Sequence, residues 1–218
     1  MFDLTHKLPD ECLVAVSGGV DSVAALHWLS RKPGRVAGIV HVDHKSKFSA
    51  ESFAKTEFLA DFYGVPFYHY FISEVFSEDK SLSLEEFWRD ARYAFFKEAH
   101  EETNLPIVLA HNFDDCLEEY LICTTVRGYM GTIPYAHGPC IRPFRKWKRA
   151  DIISYARRNS VSWAEDPSNL DDKFLRTRFR YQVVPIIRDI NPGVWNIVER
   201  AMEVQDRYSG CYEEITRP

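Results

Sequence analysis

The run Ser17-Gly18-Gly19-Val20-Asp21-Ser22 constrains the fold more than any other stretch of the chain. It follows Cys12-Leu13-Val14-Ala15-Val16, an apolar run of strand length. It precedes residues 23–29, whose apolar positions suit a helix. Strand, glycine turn and helix, in that order, form the edge where a parallel α/β sheet meets its ligand. The first amides of a helix have no intrahelical partner and carry partial positive charge, so this edge attracts anions. Gly18 and Gly19 lack a Cβ, which lets the backbone turn sharply and approach a phosphate. Ser17 and Ser22 add hydroxyl donors, and Ser17 could also serve as an N-cap. The lysine of a Walker A loop is missing, so this is another kind of phosphate loop.

Four further apolar runs predict strands at 36–42, 67–71, 106–110 and 140–144. Helix-spaced residues predict helices at 50–63, 83–103, 148–160 and 181–208, with polar loops at 73–83 and 165–172. The expected fold is α/β, a parallel five-stranded sheet flanked by helices and Rossmann-like, with a C-terminal helical segment. We divide it into an α/β core with the phosphate loop at 1–145 and a helical extension at 146–218 within the same compact domain.

Two other strand tips carry chemistry. Asp43 ends the second run, where a ribose or adenine contact is useful. The fourth run leads into His111-Asn112-Phe113-Asp114-Asp115-Cys116-Leu117-Glu118-Glu119. Asp115 and Glu118 are three apart and share a helix face. Such acids either hold Mg²⁺ against phosphates or grip an amine. Arg89 and Arg92 share a face of the third helix, and Arg127-Gly128 sits in a glycine-rich loop.

The chain carries a net charge of −5, but unevenly. Residues 142–180 hold eleven Lys/Arg against five Asp/Glu, while residues 1–141 hold twelve against twenty-one. A basic segment on an acidic body can still dock a polyanion, because screening makes phosphate contacts local. Five dispersed cysteines with no C-x-x-C argue against a disulfide framework or a zinc site. With neither a signal-peptide core nor an 18-residue apolar run, a cytoplasmic protein is expected.

The loop at 17–22 resembles the SGGxDS loop of the N-type ATP pyrophosphatases, or PP-loop superfamily. A narrower resemblance, to the tRNA(Ile)-lysidine synthetase family, is carried by H-V-D-H at 41–44, R-x-x-R-Y at 89–93, A-H-x-x-D-D-x-x-E at 110–118, R-G at 127–128, R-P at 142–143, E-D-P-S-N at 165–169 and R-T-R-F-R at 176–180. The superfamily's 2-thiocytidine enzymes fit less well, because they carry C-x-x-C cysteines. GMP synthetases need domains for which this chain has no room.

The resemblance implies ATP and Mg²⁺ as cofactors. Its substrates would be a tRNA(Ile) with a CAU anticodon and free L-lysine. Ser17, Gly18, Gly19 and Ser22 would cradle pyrophosphate, and Asp21 would bind Mg²⁺ or order the loop. Asp43 and Arg92 would work near the ATP, and Arg127 would neutralise phosphate charge. Asp115 and Glu118 would hold lysine. Arg176, Arg178 and Arg180 would contact tRNA. A homodimer stays open. So do thiolation or amidation of another substrate and a non-catalytic nucleotide- or tRNA-binding role. The sequence departs from the family at Cys116 and Glu119, where Gln and Thr are usual, and the added acid could alter the amine pocket.

Overall fold

A computed structural model describes residues 4, 6–43, 49–72, 84–164 and 175–208. The E-D-P-S-N run, His44 and the loop expected at 73–83 lie outside these residues.

The sheet has six strands in the order β3-β2-β1-β4-β6-β5. They are β1 (Cys12–Ala15), β2 (Val36–Asp43), β3 (Phe67–Phe71), β4 (Ile107–Val108), β5 (Ala136–His137) and β6 (Cys140–Ile141). Five run parallel, and β5 pairs antiparallel with β6. The expected five parallel strands are therefore present, and the sixth is an addition. At two residues, β5 is too short to show an alternating pattern.

The helices are α1 (Val20–Ser30), α2 (Ser49–Tyr63), α3 (Leu84–Thr103), α4 (Phe113–Ile122), α5 (Arg149–Arg158), α6 (Leu175–Arg178), α7 (Val184–Ile190) and α8 (Val194–Tyr208). The single helix expected at 181–208 is broken. A π-helical turn spans Phe179–Val183, Pro185 opens α7, and Asn191-Pro192-Gly193 separates α7 from α8. Proline lacks the amide a continuous helix needs and is best placed in a first turn.

β1 lies at the centre because it is apolar on both faces. Cys12, Leu13 and Val14 are fully buried, as a strand covered by helices on both sides requires. One core cluster joins β1, α1, Ile39 of β2 and the α5 residues Ile152, Tyr155 and Ala156. A second joins α4 to Phe179, Val184, Val194, Val198 and Met202. Through it the C-terminal helices are seated on α4, the helix that carries the acids.

Candidate active site

The turn after β1 is built for an anion. Gly18 adopts φ +85°, a left-handed conformation that favours glycine. A Cβ there would meet Ser52 Cα at 3.3 Å. Gly19, two residues beyond the Ser17 that the sequence offered, is the N-cap of α1, and no side chain among the described residues caps that helix. Its first-turn amides are therefore left to a ligand. Ser22 Oγ accepts from the Ser17 amide at 3.1 Å and donates to the Gly19 carbonyl at 3.0 Å, which fixes the turn. The Ala164 amide donates to Gly18 O at 2.9 Å and pins the loop from the C-terminal side.

The neighbouring strands bring their tips to either side. The Val16 amide donates to Val40 O at 2.9 Å, and His41 Nδ1 lies 2.8 Å from Val16 O. Asp43, at the end of β2, is 7% exposed on that side. On the other side β4 leads into α4. Asn112 caps α4 by accepting from the Asp115 amide, while Asp115 Oδ2 accepts from the Asn112 amide, both at 3.0 Å. Asn112 Nδ2 also donates to Asp21 Oδ1 at 3.0 Å. One buried asparagine thus ties the glycine loop to the acid-bearing helix.

Asp21 is pushed up to about 6 by burial and by the Asp115 charge. A desolvated carboxylate beside another is satisfied by an incoming cation, either Mg²⁺ or an ammonium group. The glycine turn therefore suits the phosphates of ATP, with Asp21 as the carboxylate beside it.

The four acids of α4 divide the work. Asp114 Oδ2 accepts from the Arg149 amide at 2.8 Å, at the start of α5, and its other oxygen pairs with Arg188. It holds the C-terminal helices in place. Glu119 pairs with Arg127 at 2.5 Å. This pairing raises the Arg127 pKa despite the opposing effect of burial. The extra acid at Glu119 is thereby given a cation of its own. Cys116 is fully buried, and burial lifts its thiol to about 12, so it serves as packing.

Asp115 and Glu118 form the remaining pair, and both are occupied by arginine. Arg180 donates from Nε to Glu118 Oε1 at 2.6 Å and from its terminal nitrogen to Asp115 Oδ1 at 3.0 Å. Arg176 Nε reaches Glu118 Oε2 at 3.2 Å. Burial raises the Glu118 pKa, Asp115 adds to the rise, and the two arginines oppose it. Arg178, between them in sequence, is exposed.

A cationic wall stands beside this pair. Arg92 is half-buried on α3. Its pKa is lowered by burial and by the nearby Arg176 and Arg89 charges. His111, at the tip of β4, is held well below its usual pKa by burial and by Arg142, Arg176, Arg92 and Arg89. Its Nδ1 is buried without a partner among the described residues. A neutral imidazole among four arginines marks a place where negative charge is welcome.

Sequence reasoning missed Asn112, His111 and the inward turn of Arg176 and Arg180. The first had a signal, since Asn followed three residues later by Asp is a capping pattern. The arginine pairing had none, because it joins residues about sixty positions apart.

The fold and the loop define a nucleotide-binding α/β protein of the phosphate-loop kind. The PP-loop domain model matches residues 3–187, and the chain belongs to that family of ATP-binding domains. It is 35% identical over 211 residues to the bifunctional protein TilS/HprT of Listeria monocytogenes, covering 89% of this chain and 32% of that protein. It is 31% identical over 219 residues to the tRNA(Ile)-lysidine synthase of Bacillus subtilis, covering 94% of this chain and 46% of that enzyme. The Thermotoga maritima tRNA(Ile)-lysidine synthase is 32% identical over 209 residues, with 89% and 49% covered. The chain thus spans about a third to a half of the curated relatives it matches. Among solved structures, the U34-tRNA thiolase NcsA of Methanococcus maripaludis superposes with a TM-score of 0.72 at 14% identity, covering 90% of this chain and 72% of that one. That likeness is one of fold.

Proposed function

We propose that this chain ligates the amine of free L-lysine to C2 of the wobble cytidine of a tRNA(Ile) with a CAU anticodon. The observation that carries this reading is the Asn112 bridge to Asp21, which ties an anion cradle with no side-chain cap to the helix that carries Asp115 and the buried Glu118. An identity of 31–32% to tRNA(Ile)-lysidine synthases over about nine-tenths of the chain supports the substrate class.

The reaction proceeds in two transfers. The cytidine O2 attacks the α-phosphorus of ATP, and pyrophosphate leaves. The lysine ammonium gives a proton to one of the two acids, the freed amine attacks C2, the C2–O2 bond breaks, AMP departs with that oxygen, and the second N–H proton passes to solvent. Ser17, Gly18, Gly19 and Ser22 hold the pyrophosphate through backbone and hydroxyl donors. Asp21 would hold Mg²⁺, and the ion would supply charge neutralisation at the phosphates. Asp43 and Arg92 orient the nucleotide from the two sides. Asp115 and Glu118 take the ammonium group by charge-assisted hydrogen bonds of about 1.5–3 kcal/mol. For that to happen the lysine must displace arginine nitrogens. Tied to Glu119, Arg127 borders the acid helix and neutralises phosphate charge. Arg178, exposed, contacts tRNA phosphate, and Arg176 and Arg180 join it when they leave the acids. Residues 1–145 act as the ATP-binding part and 146–218 as the RNA-facing part.

Incubation with ATP, radiolabelled lysine and total tRNA tests the proposal. Label entering an isoleucine tRNA supports it. Turnover of ATP to AMP and pyrophosphate with no lysine in the RNA refutes the lysine assignment. ATP binding without turnover refutes catalysis altogether.

A further inference from the structure

The other end of α1 borders a second basic pocket. This helix is eleven residues long, so its C-terminus lies roughly 16 Å from the glycine loop. There a cavity of about 760 Å³ is lined by Trp28, Arg31, Lys32, Arg35, Tyr155 and Arg158, with Asp151 as its one acid. Four cations and one carboxylate line it, and Asp10 pairs with Lys32, which leaves three arginines against Asp151 on a chain whose net charge is −5.

The ordinary explanation for such cations is complementarity to a helix C-terminus. Arg31 suits it, as the residue after α1. Arg35 does not, because it opens the approach to β2 rather than ending a helix. Its Nε is buried with no hydrogen-bond partner among the described residues. A buried guanidinium nitrogen without an acceptor is unfavourable, and an arriving oxyanion would satisfy it. Lys32 is engaged by Asp10 at 2.6 Å. Arg158 donates from Nε to the Ser154 carbonyl at 3.3 Å, which orients it but leaves its charge unmatched. None of Arg31, Arg35 and Arg158 is ion-paired with a carboxylate among the described residues.

The floor of the pocket is closely packed. Trp28 packs edge-on against Phe144 and Trp147, and Tyr155 is 5% exposed with its hydroxyl 2.8 Å from His27 Nδ1. Both rings are therefore committed to packing, and the cations set the ligand class. Arg31, Lys32 and Arg158 are exposed at the rim, so the pocket is open rather than enclosing. Small-molecule sites bury most of their ligand, whereas backbone phosphates need only cations at a surface.

We infer that this pocket binds phosphodiester groups of an RNA strand, as a contact separate from the nucleotide loop. This deepens the proposed function and rests on tRNA being the substrate. The probe is total tRNA, titrated against the full chain by fluorescence anisotropy between 50 and 200 mM salt. Arg35→Gln with Arg158→Gln should weaken binding and flatten the salt slope by about one unit per lost phosphate contact. Asp151→Asn, at an exposed position, should tighten binding severalfold, and it guards against a folding artefact in the double variant. Wild-type slopes and affinities in both variants would overturn the pocket alone. A wild-type chain that binds ATP in equilibrium dialysis but no tRNA would overturn the pocket and the tRNA reading together. A second ATP per chain, lost in the double variant and not displaced by tRNA, would show a nucleotide site and overturn the RNA assignment.

Discussion

Arg180 donates a 2.6 Å hydrogen bond from Nε to Oε1 of Glu118, a carboxylate only 2% exposed. The two residues are 62 positions apart. The contact fastens the C-terminal helices to α4 and fills the site proposed for the lysine amine. A buried pair of this kind adds little net stability over an apolar one, yet removing one partner strands the other.

Arg180→Met should therefore cost about 3 kcal/mol of unfolding free energy, because Glu118 is left buried with only Arg176 beside it. Arg178→Met, on an exposed neighbour, should stay within about 0.5 kcal/mol. Urea unfolding of the two variants measures the difference. Equal losses would show that the ion pair does not anchor the helices.

Asp21 gives a pH signature. Its carboxyl is raised to about 6 by burial and by Asp115. Between about 4, the unfolded value, and 6 the folded chain keeps a proton that the unfolded chain has lost. The contribution of this group to stability therefore falls as pH rises through that window. Asp21→Asn should raise the melting temperature of the ligand-free chain at pH 7 and leave it unchanged near pH 3.5. A gain of the same size at both pH values would contradict the buried-carboxyl explanation.

The glycine loop can be tested against a glycine elsewhere. Gly18 and Gly34 both have left-handed φ values, +85° and +75°. Alanine at either costs about 1 kcal/mol or more of backbone strain. A Cβ at Gly18 also meets Ser52 at 3.3 Å, whereas at Gly34 nothing lies within 4 Å. Gly18→Ala should weaken ATP binding at least tenfold, and Gly34→Ala should not. Isothermal titration with ATP decides between them.

Much of this was legible in the chain and some was not. The strand–loop–helix around residues 17–22 announced itself because the apolar strand, the glycines and the apolar start of the helix are contiguous. Asp43 could be assigned to a strand tip and Asp115 to the first turn of the next helix for the same reason. The sixth strand escaped notice because two residues carry no period. The split of the last helix at Pro185 and at 191–193 was hidden by continuous apolar spacing, although the prolines were in plain sight. The acids of α4 formed one cluster in the sequence, and only three-dimensional partners sorted them. Asp114 goes to α5 and Arg188, Glu119 to Arg127, and Asp115 with Glu118 to Arg176 and Arg180.

That sorting predicts how the departure at Glu119 behaves. Since Arg127 already neutralises it at 2.5 Å, Glu119→Gln should change the lysine KM by less than about twofold. Glu118→Gln should raise it tenfold or more, the loss expected when a charged acceptor becomes neutral. Steady-state ligation at varied lysine measures both. A larger effect at Glu119 would place it, and not Glu118, against the amine.

The most direct test follows AMP release from ATP in the presence of tRNA while the amino acid is varied. Anion cradle and acid pair in one site predict that L-lysine accelerates AMP release at least tenfold over no amino acid. Glu118→Gln should then demand far more lysine for the same rate. AMP release at one rate with lysine, with another amino acid or with none would contradict the assignment of Asp115 and Glu118 to the amine.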